Sequence, residues 1–122
     1  MRRLLGPAAA ALTLLAGVAS AATPNGVLFI FNDSPAAISY VVDAGNEKTI
    51  NADGRLTEYV TVGQHRLKVT GRGFTRTQNL SLSTSNAHDS TGAPGGLRWC
   101  IAVTADGSKL LSPPACFKRI LS

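Results

Sequence analysis

The sequence predicts an all-β domain: a small antiparallel β-sandwich of the immunoglobulin-like kind, following a cleaved export segment and closed by one disulfide. Three observations predict it. Short apolar or alternating runs recur between clusters of Gly, Pro, Asn and Asp, as in strands joined by turns. No helical apolar period of useful length follows residue 22. Two cysteines, Cys100 and Cys116, lie in a chain that begins as exported proteins do.

The export segment comes first. Met1-Arg2-Arg3 supplies a positive start, residues 4–18 carry no charge, and Ala19-Ser20-Ala21 offers small residues to a signal peptidase. The apolar run is shorter than the roughly 18–20 residues a bilayer crossing needs, and Gly6, Pro7 and Gly17 weaken it as a helix. Residues 1–21 are therefore expected to leave as a signal peptide, with 22–122 as one domain in the periplasm or medium and no membrane span. In that oxidising setting Cys100 and Cys116 are expected to pair.

The strands follow in order. Residues 27–31, Val-Leu-Phe-Ile-Phe, are expected to form a central strand covered on both faces, ended by Asn32-Asp33-Ser34-Pro35. Residues 38–42 alternate, and Asp43-Ala44-Gly45-Asn46 turns the chain. A short strand over 48–50, an imperfectly alternating one over 56–62 and another over 64–70 come next, the last with Leu67 and Val69 inward. Gly71-Arg72-Gly73 suits a three-residue hairpin loop, returning through 74–82. There Leu80 and Leu82 share the parity of Arg76 and Gln78, which calls for a bulge or a change of cover. Residues 83–96 lack periodicity and are expected to be a mobile or functional loop. Residues 97–104 point Leu97, Trp99, Ile101 and Val103 inward, Asp106-Gly107 turns, and 109–111 returns. Residues 116–121 are expected to form a last strand tied back by the disulfide.

The stretch 26–82 resembles PEGA-type domains, small β-sandwiches of bacterial surface and envelope proteins. The likeness is carried by Gly26-Val27-Leu28-Phe29-Ile30, Ser34-Pro35-Ala36-Ala37, Tyr40-Val41-Val42-Asp43, the run from Val62 to Val69, and Gly73-Phe74. It covers about half of the chain, and the part from Leu97 onward has no counterpart. The resemblance implies a non-catalytic accessory or contact module with no active-site residues to carry over.

The residues themselves point the same way. His88-Asp89-Ser90 cannot be a triad, because sequence neighbours do not meet at the required angles. His65 alternates with Leu67 and Val69, as a hydrogen-bonded half-core residue would. Asp43, Glu47, Asp53 and Glu58 lie at turns and strand ends, with nothing apolar placed to raise a carboxyl pKa for glycoside hydrolysis. Trp99, Tyr40 and Tyr59 are expected in or half in the core. No enzyme, cofactor or metal is expected.

The formal charge of +5 falls to +3 once Arg2 and Arg3 leave, and it is unevenly spread. Residues 22–58 hold five acids against Lys48 and Arg55, whereas 59–122 hold eight Lys and Arg against Asp89 and Asp106. If the hairpin centres on Arg72, Lys68 faces Arg76, and Arg66, Lys68, Arg72 and Arg76 share one ribbon. That ribbon would suit an anionic envelope polymer or glycan; nucleic acid is not the expected partner. Three function classes follow: a structural or protein-contact module of the bacterial envelope, a polyanion-binding module, and an inhibitor presenting 83–96. A monomer is expected.

Overall fold

The computed structural model describes residues 24–89 and 96–122, so the expected signal peptide and the stretch 90–95 lie outside the described residues. In chain order the elements are β1 (Gly26–Asn32), β2 (Ile38–Val42), β3 (Lys48–Ile50), β4 (Arg55–Val60), β5 (Gly63–Gly71) and β6 (Phe74–Leu82). After them come a 3-10 turn (Thr84–Asn86), β7 (His88–Asp89), β8 (Leu97–Val103), β9 (Ser108–Leu110) and helix α1 (Pro113–Leu121). One sheet runs β4-β1-β8-β7 with β9 also paired to β8, and the other runs β3-β2-β5-β6.

The two sheets share one apolar core. Leu28, Ile30, Trp99 and Ile101 of the first sheet pack with Tyr40, Leu67, Val69, Leu80 and Leu82 of the second. A smaller cluster forms on the opposite face of the first sheet, where Phe31 and Cys100 meet Cys116 and Ile120 of α1. Strand β1 therefore has cover on both faces, as its unbroken apolar run predicts. The purely antiparallel expectation is corrected: β1 and β8 run parallel, with Leu28 beside Trp99 and Ile30 beside Ile101. The whole second sheet intervenes between them in sequence, so no tight turn forces their directions to oppose.

The C-terminal expectation is corrected too, because residues 116–121 lie in a helix. Ser112 caps it, its Oγ accepting from Ala115 N at 3.4 Å, and Pro113 opens the first turn, where a missing N–H costs nothing. Lys118 and Arg119 sit in the last turn, beside the negative end of the helix dipole. The disulfide Cys100–Cys116, with Cα atoms 5.2 Å apart, pins α1 to the outer face of β8.

Part of the expected 83–96 loop is ordered. Asn86 Oδ1 accepts from Ser83 N at 2.9 Å and from Trp99 Nε1 at 2.9 Å, while its Nδ2 donates to Ser81 O. Ala87 is buried and β7 pairs with the start of β8. Side-chain hydrogen bonds order this segment, so apolar periodicity gave no sign of it. Asn32 acts similarly at the other end: fully buried, its Nδ2 donates to Ala36 O and Ile50 O, and its Oδ1 accepts from Ser34 N.

Candidate functional site

The basic ribbon expected around Arg72 does not form as one face. The β5–β6 register pairs Gly71 with Phe74, Val69 with Arg76 and Lys68 with Thr77, one residue away from a turn centred on Arg72. The loop is therefore two residues long, and Gly73 supplies the positive φ, 82°, that a side chain would resist. A one-residue shift exchanges the faces. Arg66 and Lys68 stay exposed on the outer face and Arg72 stays at the tip, but Arg76 turns inward. Its guanidinium donates to Thr104 O at 2.7 Å and Ala105 O at 2.9 Å, and it stacks on Phe74 with Cζ 4.4 Å from the ring centroid. Arg76 is thus a bracket between the sheets. No bulge is needed in β6: of the two alternatives, the cover changes, from Arg76 near the turn to the buried Leu80 and Leu82.

The opposite edge carries a cleft of about 460 Å³, walled by Val42 and Asp43 at the end of β2, by Glu58 to Thr61, and by His65. Its polar parts are fixed by the turns that hold them. Asp43 adopts φ 56°, a left-handed conformation that Asp tolerates better than most residues. That bend aims its carboxylate at β5, where Oδ1 accepts from Arg66 N at 2.9 Å and Oδ2 faces His65 Nδ1 at 2.8 Å. His65 Nε2 lies 2.7 Å from Thr61 O. Both ring nitrogens thus face acceptors, and only the imidazolium donates from both. Burial opposes that charge, but the bonds to Asp43 and Thr61 outweigh it, so the His65 pKa is raised. Burial likewise opposes ionised Asp43, but the bonds from His65 and Arg66 N prevail, and its pKa is lowered.

Thr61 Oγ1 stands 3.4 Å from His65 Nε2, which gives the outline of a Thr-His-Asp triad. The chemistry does not follow. A base needs a free lone pair aimed at the nucleophile, and the Nε2 proton is committed to a carbonyl at shorter range. His65 instead ties β5 to the turn after β2 and to the β4–β5 connection.

Glu58 is the second carboxylate of the cleft, and its side chain is 18% exposed. Its Oε2 accepts from the buried Tyr40 hydroxyl at 2.6 Å and from Lys48 Nζ at 2.7 Å. Burial, then the neighbouring carboxylate, pushes the Tyr40 pKa well above the usual phenol range. Among the described residues, Glu58 Oε1 has no hydrogen-bond partner. Tyr59 corrects a further expectation, being 75% exposed beside the cleft, with Leu56 and Val62 also exposed. These residues belong to or adjoin β4, an edge strand, so alternation within the strand could not tell which one lacked a neighbour.

Sequence reading named His65 as half-core, and it is; it did not join His65 to Asp43, which lies 22 residues earlier. His88 rests against Phe117 of α1, ring centroids 4.6 Å apart. Among the described residues no cluster of three His, Cys, Asp or Glu side chains could hold a metal, and no helix is long and apolar enough to cross a membrane. Comparison with protein families, curated proteins and solved structures found no match to this chain.

Proposed function

We propose that the mature chain is an exported, non-catalytic β-sandwich module that makes a protein contact in the bacterial envelope, through β4 and the cleft beside it. The observation that carries the reading is Tyr59, 75% exposed on the edge strand β4 and lining a cleft that also holds the carboxylates of Asp43 and Glu58, with Val62 exposed just beyond the strand. Aromatic and aliphatic side chains left in water at a concave edge favour a partner that covers them. The His65 clamp supports a binding role over a catalytic one, since its ring nitrogens are both engaged. The PEGA-like order of features in 26–82 agrees with an accessory module.

A photo-crosslinking residue in place of Tyr59, in the full-length exported chain, tests this. One discrete adduct is expected from position 59 and none from a control at Thr77, on the exposed face of the other sheet. No adduct at position 59 removes the reading.

A polyanion-binding role has its own supporting observation. Arg66 and Lys68 remain exposed, beside a row of hydroxyls formed by Thr49, Ser39, Thr70 and Thr75 across four strands. Substituting both cations with Gln should lower the salt needed for elution from heparin. Unchanged elution would leave that face merely solvated.

A further inference from the structure

We infer that β4 takes up an extended segment of the partner as an added strand, and that this segment carries Lys or Arg flanked two positions away on each side by apolar residues. The inference deepens the contact reading and rests on it.

Strand polarity supplies the first half. Asn32 N donates to Gly54 O, and Asp33 N donates to Val103 O. Even-numbered residues of β1 therefore turn their main chain toward β4, and odd-numbered ones toward β8. Through the antiparallel register, Leu56, Glu58 and Val60 bond to β1, while Thr57 and Tyr59 turn their N–H and C=O groups away from it. Strand β4 ends its sheet, so among the described residues no strand meets those groups. An incoming strand would satisfy them, and main-chain bonding is how such additions gain affinity.

Side chains supply the second half. Side chains alternate across a strand, so Leu56, Glu58 and Val60 face the space between the sheets, and Thr57 and Tyr59 face outward. When the segment adds antiparallel to β4, the partner residue opposite Glu58 stands in a non-hydrogen-bonded pair, where Cα atoms lie only about 4.5 Å apart. Glu58 offers that residue a carboxylate whose Oε2 is held by Tyr40 and Lys48 and whose Oε1 is free of bonds among the described residues. A basic side chain complements this position, and an acidic one opposes Glu58 directly. The neighbours two residues away fall opposite Leu56 and Val60, where apolar side chains match.

The probe is a synthetic peptide, Ser-Val-Thr-Lys-Thr-Val-Ser, titrated into the isotope-labelled mature protein while backbone amide resonances are followed. Shifts confined to β4 and the cleft are expected. Replacing the central Lys by Glu should weaken binding about tenfold, and methylating the backbone nitrogens of the two Thr should do the same by blocking main-chain donation. Thr57→Pro should fold, because an edge strand accepts Pro where the N–H points outward, and should lose the peptide. Absence of shifts, equal binding of the methylated peptide, or undiminished binding by folded T57P each overturns the added strand. T57P introduced into the position-59 crosslinking chain separates the two readings. A persisting adduct keeps the contact and removes the strand addition; loss of the adduct with retained fold supports both.

Discussion

His65 and Asp43 make a pair whose contribution depends on pH in a defined direction. His65 has its folded pKa raised above the ordinary 6.5, so its stabilisation is complete below that value and is lost as pH climbs through the raised one. Asp43 has its folded pKa lowered below the ordinary 3.8, so its contribution is complete above 3.8 and fades as pH falls through the lowered one. Stability from this pair should therefore be greatest between about pH 4 and 6 and decline toward alkaline pH. Denaturant unfolding followed from that window into alkaline pH should show the decline in the parent and a flatter profile in His65→Gln. Equal profiles would mean the clamp is absent in solution. Arg76 gives a second test at this scale. Because it brackets β6 to the β8–β9 turn, Arg76→Gln should cost about 1–3 kcal/mol, whereas Lys68→Gln, on the solvated face, should change stability by less than about 0.5 kcal/mol. Gly26 is a third: a Cβ there would run into the Trp99 ring, so Gly26→Ala should destabilise by about 1–3 kcal/mol through overpacking.

Helix α1 depends on one covalent tie and a few polar ones. Its buried face is small, with Cys116 the one buried residue, so the disulfide to β8 carries much of its attachment. Arg119 adds an ion pair to Asp33 at 2.9 Å and stacks over Phe31, while Arg55 donates to Arg119 O and Ile120 O at the helix end. Replacing both cysteines with Ala should lower stability by roughly 3 kcal/mol in the chain-entropy picture for a loop of this length. Hydrogen exchange should then show α1 amides losing protection well before β1 or β5. Simultaneous loss across the chain would mean that helix and sheets form one cooperative unit.

Across the whole molecule, polar brackets close both open edges between the sheets. Tyr40 and Lys48 hold Glu58 on the β3–β4 side, and Arg76 holds the β8–β9 turn on the other. The acidic first part of the chain and the basic second part are accordingly matched in places, as in Asp33 with Arg119 and Asp43 with His65. Among the described residues Arg66 and Lys68 on one outer face form no ion pair, and β4 is one of the strands left at a sheet edge. For the export expectation, N-terminal sequencing of protein from the periplasm or medium should find Ala22 or a residue within two of it. Full-length chain in the membrane fraction would indicate an anchor.

Local pattern was enough to determine most strands. The alternation of Leu67 with Val69, and of Trp99 with Ile101 and Val103, needs only a period of two and a core on one side. The disulfide followed from the cysteine count and the expectation of export, since two cysteines in an oxidising compartment have one pairing available. The helix after Pro113 reads as a strand in the sequence, because the two prolines behind the Ser112 cap serve equally well as strand breakers and as helix starters. Tertiary structure alone decided the rest. A hairpin's register rests on whether its loop holds two residues or three, a difference of one residue that sends Arg76 to the core side rather than to solvent. Which strand is left at an edge, and which carboxylate meets His65, depends on how distant segments stack, and no short-range periodicity encodes that. The candidate site lies on those long-range choices: the sequence points to Arg66, Lys68, Arg72 and Arg76, whereas the fold brings Asp43, Glu58, Tyr59 and His65 together around the cleft.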